Sequence, residues 1–435
     1  MSLALQTALI MVSMLIILLV MGVSISVSVG LSSAVAMLCM LPMEVSFATS
    51  AQRLFAGANS FSLIAIPFFI LAGNIMNNGG IAQRLVNVAK VLSGHMPGAL
   101  AQSNVVANML FGAISGSGAA AAAAIGGTIG PMEEKEGYDP AFSAAVNIAS
   151  APTGMLIPPS NLMIVYSTIA GSVSVAALFT GGYLPGILWG ALVMLLAGIT
   201  AKKRGYVAEQ RLPLRVVIKV MLDAIPSLLL IVIIIGGILG GIFTATEASA
   251  VAVAYATILA LIYGGISLKD LPNIILSSAK MTGIITLMVG MSAIMSWVMA
   301  FTGLPDIVSN SILSLTENKY LILILMNIIL LIVGTFMDPT PAVLIFTPIF
   351  LPICQSFGMH AVHFGIMVTM NLCVGTITPP VGSILFTGCK VGNVKIEQVM
   401  KELLPYFTVI LITLLLVTFI PAISMTLPEL MGLIK

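Results

Sequence analysis

Long apolar runs alternate along the chain with short breaks that are charged or rich in glycine and proline. The runs fall at about 3–20, 23–42, 61–77, 98–131, 140–170, 174–201, 222–242, 246–266, 280–303, 320–352, 361–386 and 402–426. An apolar helix needs roughly 20 residues to cross a hydrocarbon core, so the pattern predicts an all-α polytopic membrane protein. Two runs, 98–131 and 320–352, are too long for one span. Each has a turn-like break near its middle, ISGSG at 114–118 and GTFMDPTP at 334–341. Limbs of about a dozen residues, rising about 1.5 Å each, reach only about half of a roughly 30 Å core. The geometry predicts two re-entrant helical hairpins with tips near the midplane.

Two other runs, 140–170 and 361–386, are interrupted by GMLIPPS (154–160) and GTITPPV (375–381). Paired prolines remove two N–H donors and clash with the preceding turn, which breaks the helix and frees carbonyls. Irregular backbone survives at membrane depth only where protein covers it or where it lines a cavity. The two halves of the chain also repeat. Shifted by 221 residues, Pro131, Gly137, Gly154, Pro158, Pro159, Gly171 and Val173 fall on Pro352, Gly358, Gly375, Pro379, Pro380, Gly392 and Val394. With one more residue of offset, GAISGSGAA (112–120) overlays GTFMDPTPA (334–342). Most of these identities are glycine or proline, so what is duplicated is backbone shape. Five crossings separate the hairpins, an odd number, so the copies are expected to be inverted. Inverted repeats with broken helices near the midplane are a signature of secondary transporters. The expected division is N-terminal scaffold helices at 1–60, a first repeat at 61–201, a loop and central scaffold helices at 202–279, and a second repeat at 280–426.

Composition agrees with this reading. Of 435 residues, 59% are hydrophobic and 7% charged, against about 25% charged in soluble domains. The net charge of +2 points away from nucleic acid. With each hairpin entering and leaving on one side, the 17 basic residues divide 14 to 3, with Arg53, Lys319 and Lys435 in the minority. Treating each hairpin as one crossing weakens the split to 11 against 6. The positive-inside rule thus favours the hairpins, with both termini outside the cytoplasm. The first helix lacks a basic n-region and a cleavage site and reads as retained. Four scattered cysteines without CxxC support neither disulfides nor zinc. The histidines, His360-x-x-His363 among them, read as solvated and outside the spans. Without HExxH, GxSxG or an intramembrane base, an enzyme is disfavoured, and without GxxxxGK[ST] so is ATP-driven transport. A channel would explain polar hairpins but not two inverted copies of a broken helix.

The candidate chemistry lies at the breaks. Asn147, Ser150 and Thr153 precede the first at helical spacing, and Asn371, Thr376 and Thr378 surround the second. Hydroxyl, amide and backbone oxygens suit a hard cation such as sodium. At the first tip Ser115, Gly116, Ser117 and Gly118 present N–H groups and hydroxyls, and the alanines 119–124 permit close packing. At the second, Asp338-Pro339 reads as an N-cap with proline at N1, flanked by Thr335 and Thr340. An acid at membrane depth is a functional candidate as well as a cap. Thr244-x-x-Glu247 reads as a capping box, a structural role. Trp189 and Trp297 read as packing or interfacial residues.

The FGAISGSGAA hairpin, the two Gly-xxx-Pro-Pro breaks, GIFTATEASAVA at 241–252 and VGTFMDPTPA resemble the large membrane subunit of TRAP (tripartite ATP-independent periplasmic) transporters over essentially the whole chain. TATEAS stands where that family suggests TPTEAA. The resemblance implies an elevator mechanism, sodium ions as the coupling cofactor, a bacterial inner-membrane location, a separately encoded small membrane subunit and a periplasmic substrate-binding protein. It also implies import of an organic anion of the C4-dicarboxylate or sialic acid type. One sodium site would be lined by Ser115, Gly116, Ser117, Thr153 and Gly154, the other by Gly334, Thr335, Asp338, Gly375, Thr376 and Thr378. Substrate would lie between the tips, near Ser117, Gly118, Asn147, Ser150, Pro158, Asp338, Thr340, Asn371 and Pro379. No arginine occurs at that depth, so its carboxylate is expected to be met by N–H groups, hydroxyls and sodium. The alternative is a stand-alone sodium/dicarboxylate symporter of related hairpin architecture.

Overall fold

The computed structural model describes residues 3–171, 173–206, 213–304, 307, 316 and 318–434. Arg211 and Lys435, both used in the charge split, lie outside the described residues. Among the described residues every regular element is helical. Helices α1 (Leu3–Val20) and α2 (Ile25–Leu38) match the first two apolar runs, and α3 (Met43–Ala58) follows them. A 3₁₀ turn leads into α4 (Ala65–Asn78), followed by α5 (Ile81–Ser93). The run-based reading passed over α3 and α5 because both are amphipathic. In α5, Ile81, Ala82, Leu85, Val86 and Ala89 are buried on one face; such a stripe contains no continuous apolar run.

The first long run is two helices, α6 (Ala99–Ser115) and α7 (Gly118–Lys135). The broken helix that follows is α8 (Pro140–Ser150), α9 (Thr153–Leu156) and α10 (Asn161–Ile169), bent by 45° at the second gap. Four long helices come next: α11 (Val175–Lys203), α12 (Leu214–Leu239), α13 (Ala245–Ile262) and α14 (Leu271–Thr302). The second hairpin run is α15 (Lys319–Phe336) and α16 (Pro339–Ser356), and its broken helix is α17 (Ala361–Gly375) and α18 (Ser383–Val391). The chain closes with α19 (Ile396–Phe419) and α20 (Ala422–Leu430). Among the described residues, seven helices are long and apolar enough to cross a membrane, namely α11 to α16 and α19.

Both helix pairs fold back on themselves. Asn147 accepts a hydrogen bond from Asn108 of α6 at 2.9 Å and donates one to the Ala122 carbonyl of α7 at 2.9 Å. A continuous helix would hold positions 108 and 122 about 21 Å apart. In the second pair, Cys354 Sγ lies 3.6 Å from Met326 Sδ across 28 residues. The limbs are longer than expected. At 17 and 18 residues, and 18 and 18, each rises about 26 Å, so limb length by itself does not require tips at the midplane. Two full crossings per pair leave the parity of the topology unchanged.

The repeat is visible in the packing. The first limb of each pair lies on its own broken helix, α6 on α8 and α9 and α15 on α17. The returning limb lies on the post-break segment of the other repeat, α7 on α18 and α16 on α10. Gly137 and Gly358, matched by the 221-residue shift, take φ of 78° and 81°, a region that glycine alone enters readily. The Pro158–Pro159 and Pro379–Pro380 bonds, also matched, are both cis. Helices α1 to α4 pack with α13 and α14 beside this assembly.

Thr244 and Glu247 form the expected capping box at α13. His363 corrects the reading of the histidines. It lies in α17, 3% exposed, with Nδ1 2.6 Å from Ser424 Oγ and Nε2 3.2 Å from the Thr418 carbonyl. Its neighbours in sequence look like a loop boundary, and the partners that hold it inside come from residues more than 50 positions away. Trp189 is fully buried and donates to the Ala149 carbonyl at 2.9 Å. Trp297 is half-buried and stacks on Phe301.

Candidate functional site

The first tip is the two-residue gap between α6 and α7. Gly116 closes it with φ of 62°. Ser117 N-caps α7, its hydroxyl accepting from Ala120 N at 3.3 Å. Ser115 Oγ lies 3.4 Å from both the Ser117 amide and the Ser117 carbonyl. The tip sits on the first break because Gly112 and Gly154 touch through their backbones: a Cβ on Gly154 would lie 2.1 Å from Gly112 Cα. Thr153, buried beside Gly154, donates its hydroxyl to the Ser150 carbonyl at 2.6 Å. A hydroxyl that donates to a carbonyl keeps its lone pairs as acceptors.

The second tip repeats the contact. A Cβ on Gly375 would lie 2.4 Å from the carbonyl carbon of Gly334. The Thr335 carbonyl accepts from Val381 N at 3.1 Å. Thr376 and Thr378 donate their hydroxyls to the Cys373 and Val374 carbonyls at 2.6 and 2.7 Å. Thr335 donates to the Ile332 carbonyl at 2.7 Å. Asp338 occupies the N-cap position of α16 with Pro339 at N1, as expected, but its side chain makes no capping hydrogen bond and is exposed. Of the two amides that an N-cap side chain can meet, at N2 and N3, Pro341 removes the second, and Ala342 N bonds to the Asp338 backbone carbonyl.

Both tips converge on residues 381–384. A Cβ on Gly118 would meet Ile384 Cδ1 at 2.4 Å, while Val381 is bonded to the second tip. The two tips differ in cover. Pro158 and its neighbours are buried, whereas Pro379 and Thr340 are half-buried and Pro380 and Val381 are exposed.

Asn147, Ser150 and Asn371 are built into the framework that carries the tips. Asn108 Nδ2 lies 2.8 to 2.9 Å from Asn104 Oδ1, Asn147 Oδ1 and Ser150 Oγ. Asn371 Nδ2 donates to Asn327 Oδ1 at 2.8 Å and to its carbonyl at 3.0 Å. Asn104, Asn108 and Asn327 were not singled out from the sequence. Their signal is an amide inside an otherwise small or apolar helix, facing a second amide in the following broken helix. Asn161 was also missed: it follows the IPPS break directly, and its amide lies against Gly116. Asn108→Leu should remove one donor from three buried acceptors and cost about 2–4 kcal/mol, read as a lowered thermal midpoint of the purified chain. An unchanged midpoint would refute the pin.

With this geometry in view, a family profile described as tripartite ATP-independent periplasmic transporter, DctM component, matches residues 12–423. The chain belongs to the DctM family of TRAP transporters. It is 37% identical over 405 residues to the C4-dicarboxylate TRAP transporter large permease protein DctM of Pseudomonas aeruginosa, covering 93% of this chain and 94% of that one. It is 52% identical over 401 residues, 92% of each chain, to the uncharacterized protein YgiK of Salmonella typhimurium. The YdaH transporter of Alcanivorax borkumensis shares the fold, with a TM-score of 0.61 at 14% identity, covering 86% of this chain and 88% of that structure. This DctM-family chain is thus a multi-pass membrane transport protein, not an enzyme.

Proposed function

We propose that the chain is the large membrane subunit of a sodium-coupled TRAP importer in the bacterial inner membrane, with both termini on the periplasmic side. In this reading it carries an organic anion by an elevator movement and works with a small membrane subunit and a periplasmic binding protein. The observation that supports it best is the doubled glycine–glycine contact, which seats each tip on a broken helix beside hydroxyls with free lone pairs. One sodium ion is assigned to Ser115, Gly116, Ser117, Thr153 and Gly154, with Asn161 added. A second is assigned to Gly334, Thr335, Asp338, Gly375, Thr376 and Thr378. Both pairs act as re-entrant hairpins, and the anion lies between their tips at Ser117, Gly118, Pro158, Asp338, Thr340 and Pro379. The N-terminus of α7 there supplies N–H groups for a carboxylate. Asn147, Ser150 and Asn371 shape this space from behind. The Pseudomonas relative's name makes a C4-dicarboxylate the first substrate to try, with sialic acid next.

Uptake into proteoliposomes holding the chain and its small subunit tests the reading. Uptake that needs both an inward sodium gradient and the binding protein is expected. Sodium-driven uptake without the binding protein would favour the stand-alone symporter, and uptake indifferent to sodium would remove the ion sites.

A further inference from the structure

A cavity of about 330 Å³ opens at the far end of the first hairpin, lined among others by Asn104, Glu133, Tyr138, Ser143, Asn147 and Asn393. Its walls come from both repeats: α6, α7 and α8 of the first, and the end of α18 of the second. Glu133 stands about 22 Å along α7 from Gly118, so this space is separate from the tips. In the run Glu133–Glu136 the last three residues are exposed, whereas Glu133 is 1% exposed. Both of its carboxylate oxygens lack a hydrogen-bond partner, as do Asn104 Nδ2, Tyr138 Oη and Ser143 Oγ. These groups are all buried and all line the cavity.

We propose that this cavity is a binding site for a monovalent cation, a proton or an alkali-metal ion, held by the Glu133 carboxylate. A carboxylate withdrawn from water without a partner costs several kcal/mol, and a bound cation removes that cost. Among the described residues that line the cavity, none is basic. Arg204, at the corner beside α8, is taken by Glu402 at 2.6 Å, with Asp139 at 4.0 Å; that carboxylate holds the guanidinium above its usual pKa. Lys390 at the end of α18 and Lys135 on α7 are exposed. Glu134, which also lines the cavity, adds negative potential. Ser143 lies beside the carboxylate, and its oxygen with that of Tyr138 suits a hard cation. Because α7 and α18 both wall the cavity, separating them would wet Glu133 and release the ion.

The test is infrared difference spectroscopy on the full chain in lipid nanodiscs, with Glu133→Gln for assignment. A protonated-carboxyl band absent from Glu133→Gln is expected. Its loss on raising pH alone identifies a proton; its loss at fixed pH on adding sodium or potassium identifies a metal ion that displaces the proton. If no such band exists, carboxylate stretches that move with sodium or potassium in the wild type, and not in Glu133→Gln, give the metal ion alone. Glu133→Asp, which keeps the charge and shifts the band, serves if the glutamine variant does not fold. A Glu133 signal that responds neither to pH nor to either ion overturns the proposal.

Discussion

Gly154→Ala should reduce sodium-driven uptake by at least about tenfold and lower the thermal midpoint of the chain. The new Cβ would lie 2.1 Å from Gly112 Cα, 2.4 Å from its carbonyl carbon and 3.0 Å from Ala113 N. Carbon atoms in ordinary contact stand about 3.5–4.0 Å apart, so α6 and α9 would have to separate by about 1.5 Å. No rotamer change relieves this, because every obstructing atom is backbone. Overpacking costs about 1–3 kcal/mol in cores that can adjust, and a backbone obstacle belongs at the upper end of that range. The functional loss should exceed the stability loss. Ser115 to Ser117 lie in the turn that follows Gly112, and a binding constellation tolerates only about 0.5 Å of displacement. Gly375→Ala should behave alike, since its Cβ would meet Gly334 carbonyl atoms at 2.4 and 2.5 Å. Gly283→Ala is the control: it lies in α14, away from the tips, with nothing within 4 Å of its Cβ, so uptake should be unchanged. Wild-type uptake and melting in Gly154→Ala would show that the contact does not set the tip.

Features carried by backbone shape were legible before any coordinates. Glycine and proline announce turns and breaks by themselves, so both tips, both broken helices and the 221-residue repeat could be placed from spacing alone. Features carried by a partner elsewhere in the chain were not. His363 is buried because Ser424 and the Thr418 carbonyl meet both ring nitrogens, and nothing around position 363 announces them. Asn108 reads as one polar residue in a small-residue helix until Asn147 and Ser150 are folded against it. Glu133 sits in a charged run with every local mark of a solvated loop; only the packing of α8 and α18 over it withdraws it from water. Helices α3 and α5 escaped for a different reason. Their apolar residues lie on one face at helical spacing, and a search for continuous apolar runs is blind to that period.

Asp338→Asn should raise the sodium concentration for half-maximal uptake by about tenfold or more while leaving the fold intact. Asparagine and aspartate are about equally good N-caps, so the substitution keeps size and local preference and removes only the charge. Folding has little to lose in any case, because the Asp338 side chain makes no capping bond. An anionic group at the start of a helix interacts favourably with the helix dipole, which holds the charge at this tip without using its oxygens. A carboxylate so placed, at the tip whose Thr335 carbonyl is bonded to Val381 of the facing break, has one assignment in the proposed mechanism: it neutralises a sodium ion. Losing even an outer-shell partner costs about 10–100-fold in metal affinity, and losing a charged direct ligand should cost no less. Thr378→Val, which deletes a neutral oxygen, should shift the sodium dependence in the same direction but by less. Sodium titrations of uptake on the three proteins decide the matter. If Asp338→Asn titrates like the wild type, Asp338 is no more than the residue that starts α16, and the second ion must be sought on the buried oxygens around Gly375.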